Sequence, residues 1–172
     1  MTAHAPREHK AHAPTHLRVA VLTVSDSRTE RTDRSGRVLR EGLEGAGHVV
    51  AAQALVPDEA GRIRAAVEGF LADAGVDAVI TTGGTGVAPR DVTIEALAPL
   101  FEKTLPGFGE LFRALSFKEV GTAAYLSRAE AGVARGKMLF LLPGSPNAVE
   151  LALRELILPE LPHLTGLLRR PA

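Results

Sequence analysis

The stretch Val76–Thr93, VDAVITTGGTGVAPRDVT, decides the fold. Val76 to Ile80 is apolar apart from Asp77, the pattern of a strand buried on both faces. Thr81-Thr82-Gly83-Gly84-Thr85-Gly86 follows, and then Pro89-Arg90-Asp91-Val92-Thr93. Beyond it, Ile94, Leu97, Ala98 and Phe101 recur at helical spacing. The glycines therefore sit where a strand hands over to a helix. Glycines and threonines there leave a bare backbone with hydroxyls and little bulk. Such a turn offers backbone N–H groups and a helix N-terminus to an anion. No Lys-Ser/Thr follows the glycines, so this is not a P-loop, and Gly-x-Gly-x-x-Gly does not fit. A plain tight turn is the competing reading.

Working back from this stretch, Leu17 to Val24 (LRVAVLTV) predicts a buried strand, and Ser25-Asp26-Ser27-Arg28 a polar loop at its C-terminal end. Asp33 or Ser35 caps a helix carrying Val38, Leu39 and Leu43, which Gly45 and Gly47 end. His48 to Val56 predicts a second strand, closed by Pro57-Asp58. Asp58 is placed to cap a helix with Ile63, Ala66, Val67, Phe70 and Leu71, stopped by Gly75. The third strand, 77–82, runs into the glycine loop. This β-α-β-α-β order argues for a parallel sheet with right-handed crossovers. Ligands of such sheets bind beyond the C-terminal strand ends. Three polar loops fall there: Ser25–Arg28, Pro57–Asp58 and Thr81–Asp91.

Working forward, Thr104 to Gly109 reads as a turn, Glu110 to Glu119 as a helix, and Thr122 to Ala131 as another short helix. Lys137 to Leu142 (KMLFLL) predicts a strand, followed by the compact turn Pro143-Gly144-Ser145-Pro146-Asn147. A closing helix carries Val149, Leu151, Ala152, Leu156 and Ile157.

The 172 residues suffice for one domain with a good core, assigned to 17–170. Residues 1–16 stand apart, with His4, His9, His12, His16, Pro6 and Pro14 and no period. They read as a disordered tail or, alternatively, a metal-binding arm. Apolar residues make up 45% and aromatics only 4%, so the core is Val, Leu, Ile and Ala. Zero net charge gives no global attraction to nucleic acid or acidic membrane. With no Cys, thiolate chemistry and disulfides are excluded. No apolar run approaches about 18 residues and no signal-peptide core opens the chain, which implies a cytoplasmic protein without a membrane span.

Asp91 is either an ordinary helix N-cap or a carboxylate beside bound phosphates, where it would hold Mg²⁺. Asp58 has the same two readings. Asp26 is a third candidate, against a simple Asx-turn. Arg90 suits phosphate charge. Arg113 and Arg128 lie among apolar neighbours, as surface residues, and the pair Ser127-Arg128 has the alternative reading of an anion contact. His163 reads as structural or exposed.

Four segments together resemble the MoaB/MogA molybdopterin-binding family of molybdenum cofactor biosynthesis, in its MoaB branch. They are TVSDSRTERTDRSG (23–36), TTGGTGVAPRDVTIEAL (81–97), PGFGELFRALSFKEVGTAAYLSRAEAG (106–132) and LPGSPNAVELAL (142–153). With the strands between them they span about 17–168. The resemblance implies a MogA-like fold, a three-layer α/β/α sandwich around a mostly parallel sheet, assembled as a homotrimer or homohexamer. It implies adenylylation of molybdopterin by Mg-ATP, with a MoeA-type molybdate insertase downstream.

On that resemblance, Asp58 and Asp91 match the family's catalytic aspartates and would hold Mg²⁺ directly or through water. Thr82, Gly83, Gly84, Thr85, Gly86 and Arg90 would bind phosphate. Pro143, Gly144, Ser145 and Asn147 match its nucleotide-contacting loop. Ser25, Asp26, Ser116, Ser127 and Arg128 would line the pterin and phosphate pocket. Two other readings stand beside this one: a non-catalytic carrier or scaffold that binds molybdopterin, and a generic sugar- or nucleotide-phosphate binder.

Overall fold

The computed structural model describes residues 14–170, so the tail expected at 1–16 lies almost wholly outside the described residues. His16, from its end, meets the Gly47 carbonyl through Nδ1 at 2.7 Å. The elements run β1 (Arg18–Val24), α1 (Arg34–Gly45), β2 (Val49–Val56), α2 (Ala60–Ala72), β3 (Ala78–Thr82) and α3 (Thr93–Leu97). Then come β4 (Lys103–Thr104), α4 (Pro106–Val120), β5 (Glu130–Ala134), β6 (Lys137–Leu142), α5 (Pro146–Ala152) and α6 (Leu158–Leu168). A π-helical turn, Leu153–Ile157, joins α5 to α6.

The six strands form one sheet in the order β2-β1-β3-β6-β5-β4. β2, β1, β3 and β6 are parallel, and β5 and β4 antiparallel. The chain steps from β1 to β2 on one side and then crosses to β3 on the other. That reversal is the switch point at which open α/β sheets bind ligands.

The apolar runs read as doubly buried strands behave so. Val19 and Val21 of β1 pack with Leu39, Leu43, Phe112, Phe140 and Val149 on one face. Ala20, Leu22 and Val24 pack with Ile63, Val67, Leu71, Ile94 and Leu97 on the other. The result is the expected three-layer α/β/α sandwich. Asp33 caps α1, its side chain accepting from Gly36 N at 2.9 Å.

Four local expectations are corrected. Thr104 belongs to strand β4 and Pro106 starts α4, so no turn spans 104–109. The helix read at 122–131 is a 3₁₀ turn, Gly121–Leu126, followed by β5. The helix after the glycine loop keeps helical geometry only to Leu97, and Ala98–Leu100 tightens to 3₁₀. Neither Asp58 nor Asp91 caps a helix: Glu59 and Val92 hold those positions without side-chain bonds.

Candidate functional site

Register brings the strand ends level. Val24 pairs with Val56, Thr23 with Thr82, and Thr82 with Leu142. The loops that leave these ends therefore meet at one edge. They enclose a cavity of about 510 Å³ lined by Ser25, Arg28, Asp58, Gly83–Gly86, Asp91, Ser127 and Gly144 among others. A second cavity of about 590 Å³ shares Ser127 with it and is lined by Arg113, Tyr125 and Arg128.

The glycine loop forms because its backbone adopts what other residues cannot. Gly83 has φ +102, and a Cβ there would lie 2.1 Å from Val24 O. Gly84 has φ +65, and its Cβ would lie 2.3 Å from Thr93 Oγ1 and 3.0 Å from Asp58 Oδ1.

The loop's carbonyls are all engaged from behind. Thr93 Oγ1 donates to Gly83 O and Thr93 N to Gly84 O, both at 2.9 Å. Arg128 Nε donates to Gly86 O at 2.9 Å and to Thr85 O at 3.3 Å, and Nη2 to Asp91 O at 3.1 Å. Among the described residues, no acceptor meets the N–H groups of Gly84, Thr85 or Gly86. Peptide dipoles pinned at the oxygen end leave their positive ends to the cavity, which makes an anion cradle. At the cradle, Arg128 thus acts through the backbone it holds. Its remaining nitrogen pairs with Glu95, whose carboxyl it lowers below the ordinary range.

Two carboxylates flank the cradle. Asp58 Oδ2 accepts from Asp26 N at 3.0 Å, and Asp91 Oδ2 from Ala88 N at 2.8 Å. Among the described residues neither Asp58 nor Asp91 makes an ion pair. Burial pushes the Asp58 carboxyl up, the Asp26 N–H opposes this, and the charges of Asp26 and Asp91 add to the rise. A cation would relieve that crowding. Asp26 sits in the opposite state, held below its ordinary range first by the hydrogen bonds of Arg90.

On the far wall, Arg28 joins loops that are remote in sequence. It donates to Ser35 Oγ at 2.8 Å and to Gly144 O at 2.7 Å, and Ser35 Oγ also donates to Gly144 O at 2.7 Å. Thr82 Oγ1 holds Pro143 O at 2.7 Å. Ser145 caps α5 through Ala148 N.

The structure therefore gathers Ser25, Asp58, Gly83–Gly86, Asp91, Ser127, Pro143 and Gly144 around one cavity, with Asp26 and Arg90 attached through Asp58. It does not bring Ser116 or Asn147 there. Ser116 is buried in α4 with an unpartnered hydroxyl, and Asn147 is exposed near Glu119, Glu150 and Arg154. His163 meets Glu160 at 3.1 Å, away from the cavity. Thr93 and Arg28 are missing from the sequence-derived site. Thr93 sits inside the Pro-Arg-Asp-Val-Thr run and Arg28 in a strand-end loop, so position pointed to both.

A family model described as a probable molybdopterin binding domain matches residues 20–163. The chain belongs to this molybdopterin-binding family. It is 50% identical over 165 residues to molybdenum cofactor biosynthesis protein B of Bacillus subtilis, covering 95% of this chain and 97% of that one. A crystal structure of a molybdenum cofactor biosynthesis protein B superposes with a TM-score of 0.89 at 48% identity, over 93% of this chain and all of that one. The tungsten cofactor synthesizing protein MoaB of Pyrococcus furiosus gives 0.82 at 42% identity, over 92% of this chain and 100% of its own. Among the described residues no helix is long and apolar enough to cross a membrane.

Proposed function

We propose that this chain serves molybdenum cofactor biosynthesis by binding molybdopterin and transferring to it the adenylyl group of ATP. The observation that carries the reading is the cradle: three free N–H groups at Gly84–Gly86, with their carbonyls tied back and two unpaired carboxylates beside them. This arrangement suits a polyphosphate with a divalent cation. The family and the named relatives supply the pterin.

The donor set fits Mg²⁺. Among the described residues no cluster of three or more His, Cys, Asp or Glu is placed to hold a metal by itself. Mg²⁺ commonly takes one or two carboxylates and completes its shell with phosphate oxygens and water. Asp58 and Asp91 would hold it, each with an Oδ1 that no donor meets among the described residues. When bound, the ion offsets phosphate charge and stabilises the pyrophosphate leaving group.

The protein's own task is positioning and charge. A phosphate oxygen of molybdopterin forms a bond to the α-phosphorus of ATP, the bond from that phosphorus to the β-phosphate bridging oxygen breaks, and pyrophosphate leaves. No side chain need form a covalent bond. Gly84, Thr85 and Gly86 N–H groups hold phosphate oxygens. The two cavities meeting at Ser127 give two adjacent seats for the two substrates. Self-association is part of the reading: Phe117, Val120, Tyr125 and Leu126 leave exposed apolar side chains at the C-terminal end of α4 and the turn after it.

The test is purified protein with molybdopterin, ATP and Mg²⁺, following pyrophosphate and adenylyl-molybdopterin. Product should form, and Asp58→Asn and Asp91→Asn should abolish it while melting as the wild type does. Pterin bound tightly with no pyrophosphate released would mean a carrier instead, and the enzymatic reading would fall.

A further inference from the structure

We infer that Asp26 is a positioning residue: its side chain holds the Asp58 segment so that Asp58 Oδ1 is presented to the glycine loop. The inference rests on the reading of Asp58 as a magnesium-side carboxylate and deepens it.

Parallel pairing sets the geometry. Val24 and Val56 are partners at the ends of β1 and β2, and Asp26 and Asp58 each stand two residues beyond. The ladder continues one step past the strands, Ser25 N donating to Val56 O at 2.9 Å. At the next step each aspartate's backbone N–H enters the other's carboxylate. Asp26 N donates to Asp58 Oδ2, and Asp58 N to Asp26 Oδ1, both at 3.0 Å. The side chain of each thereby fixes the backbone of the other.

Two carboxylates so close repel, and Arg90 offsets the repulsion by its charge while hydrogen-bonding to Asp26 alone. Its Nε and Nη2 both donate to Asp26 Oδ2, at 2.9 and 2.6 Å. Both Asp26 oxygens are therefore committed, one to Asp58 N and one to Arg90. Asp26 cannot take a cation without giving up one of them. Among the described residues Asp58 has only Oδ2 committed. Its Oδ1 lies at the loop, 3.0 Å from where a Gly84 Cβ would be. The shape of this exchange divides the labour. Asp26 spends its charge on Arg90 and its geometry on Asp58, and Asp58 keeps its charge for a ligand. Asp26 acts through Asp58 rather than on substrate or metal.

Mn²⁺ binding, read by electron paramagnetic resonance on the full chain with a non-hydrolysable ATP analogue and no pterin, tests this without turnover. Asp26→Ala removes the acceptor for Asp58 N and should weaken Mn²⁺ about tenfold, as expected for a lost hydrogen bond to a charged group. Asp26→Asn keeps an amide oxygen for that bond and should stay within about threefold of wild type. Equal loss in the two variants would make Asp26 itself a ligand and overturn the inference. Unchanged binding in Asp26→Ala, with loss in Asp58→Asn, would overturn it while sparing the role of Asp58. If the wild type binds no Mn²⁺, the magnesium reading of Asp58 falls and takes this inference with it.

Discussion

Replacing Arg128 with Met tests whether the anion cradle is held from behind. Arg128 Nε bridges Gly86 O and Thr85 O, and Nη2 reaches Asp91 O, at 2.9, 3.3 and 3.1 Å. A charged donor on a neutral acceptor is worth about 1.5–3 kcal/mol when dry. The Nε bond is shared and the side chain is 33% exposed, so water recovers part of each. The pair with Glu95, itself 58% exposed, adds less than about 1 kcal/mol. The sum is about 2–3 kcal/mol, which for this length lowers Tm by roughly 5–10 °C. The loss should concentrate in the loop. Thr93 N, bonded to Gly84 O at 2.9 Å, reports whether the loop is closed. Its amide exchange in native buffer should accelerate by about 30-fold, the equivalent of 2 kcal/mol of local opening. Under the proposed function, KM for ATP should rise by up to the same factor, since only the closed fraction binds. The turnover number at saturation should change little. Arg128→Lys keeps the charge but cannot span the carbonyls, and should behave like Met. Glu95→Gln should cost less than about 1 kcal/mol. The reasoning fails if Arg128→Met leaves Thr93 exchange unchanged and costs under about 0.5 kcal/mol by denaturant titration.

Gly83→Ala combines a left-handed backbone with a Cβ 2.1 Å from Val24 O, a backbone atom that cannot swing aside. It should cost about 3 kcal/mol or more by urea denaturation, and a loss under 1 kcal/mol would show that the loop yields. His48 is 6% exposed, and its Nδ1 accepts from Leu17 N at 3.3 Å. Burial, with the charge of His16, lowers its pKa in the folded chain. The unfolded chain then binds the proton more readily, so this group's stabilisation is complete above about pH 6.5 and fades as pH falls through the folded value. Urea midpoints between pH 7.5 and 5.5 should drop more steeply for the wild type than for His48→Gln. Parallel slopes would remove His48 as the cause.

What was legible follows from what local pattern encodes. β1, β3 and β6 are buried on both faces, so apolar runs such as KMLFLL have no competing helical period. β4 and β5 were lost because their strand character comes from partners. Lys103 and Thr104 are strand only where they face Val133 and Gly132. Glu130–Ala134 is rich in Ala and Gly and becomes a strand by folding back on β6. The turn that folds it has Arg135 at φ +49 and Gly136 at φ +70, the two-residue hairpin with both residues left-handed. Arg at its first position hides the Asn-Gly signal. At the site, convergence of the loops was readable from strand ends alone. The assignments of Asp58 and Asp91 as possible caps failed because a cap is judged from three or four neighbours, whereas Asp58 answers to Asp26, 32 residues away. The tie from Arg128 to Gly86 crosses 42 residues and left no mark on local pattern.

The same device operates on both sides of the cavity. On one wall Thr93 and Arg128 take the carbonyls of Gly83–Gly86, and on the other Arg28 and Ser35 take that of Gly144. Each arginine sits in a cavity wall with its donors turned to backbone carbonyls. An arginine pointing into the cavity would bind anions equally at every stage of a reaction and would be free to swing away. Spent on carbonyls, it orients peptide dipoles that cannot reorganise when charge moves. The field at the strand ends is therefore built into the main chain, and under the proposed function this is how a chain of zero net charge would seat a polyphosphate. It also explains why the two aspartates beside it remain unpaired. With the nearby arginines committed to backbone oxygens or to Asp26, Asp58 and Asp91 keep their negative charge, which under the proposed function a cation arriving with the substrate would take up.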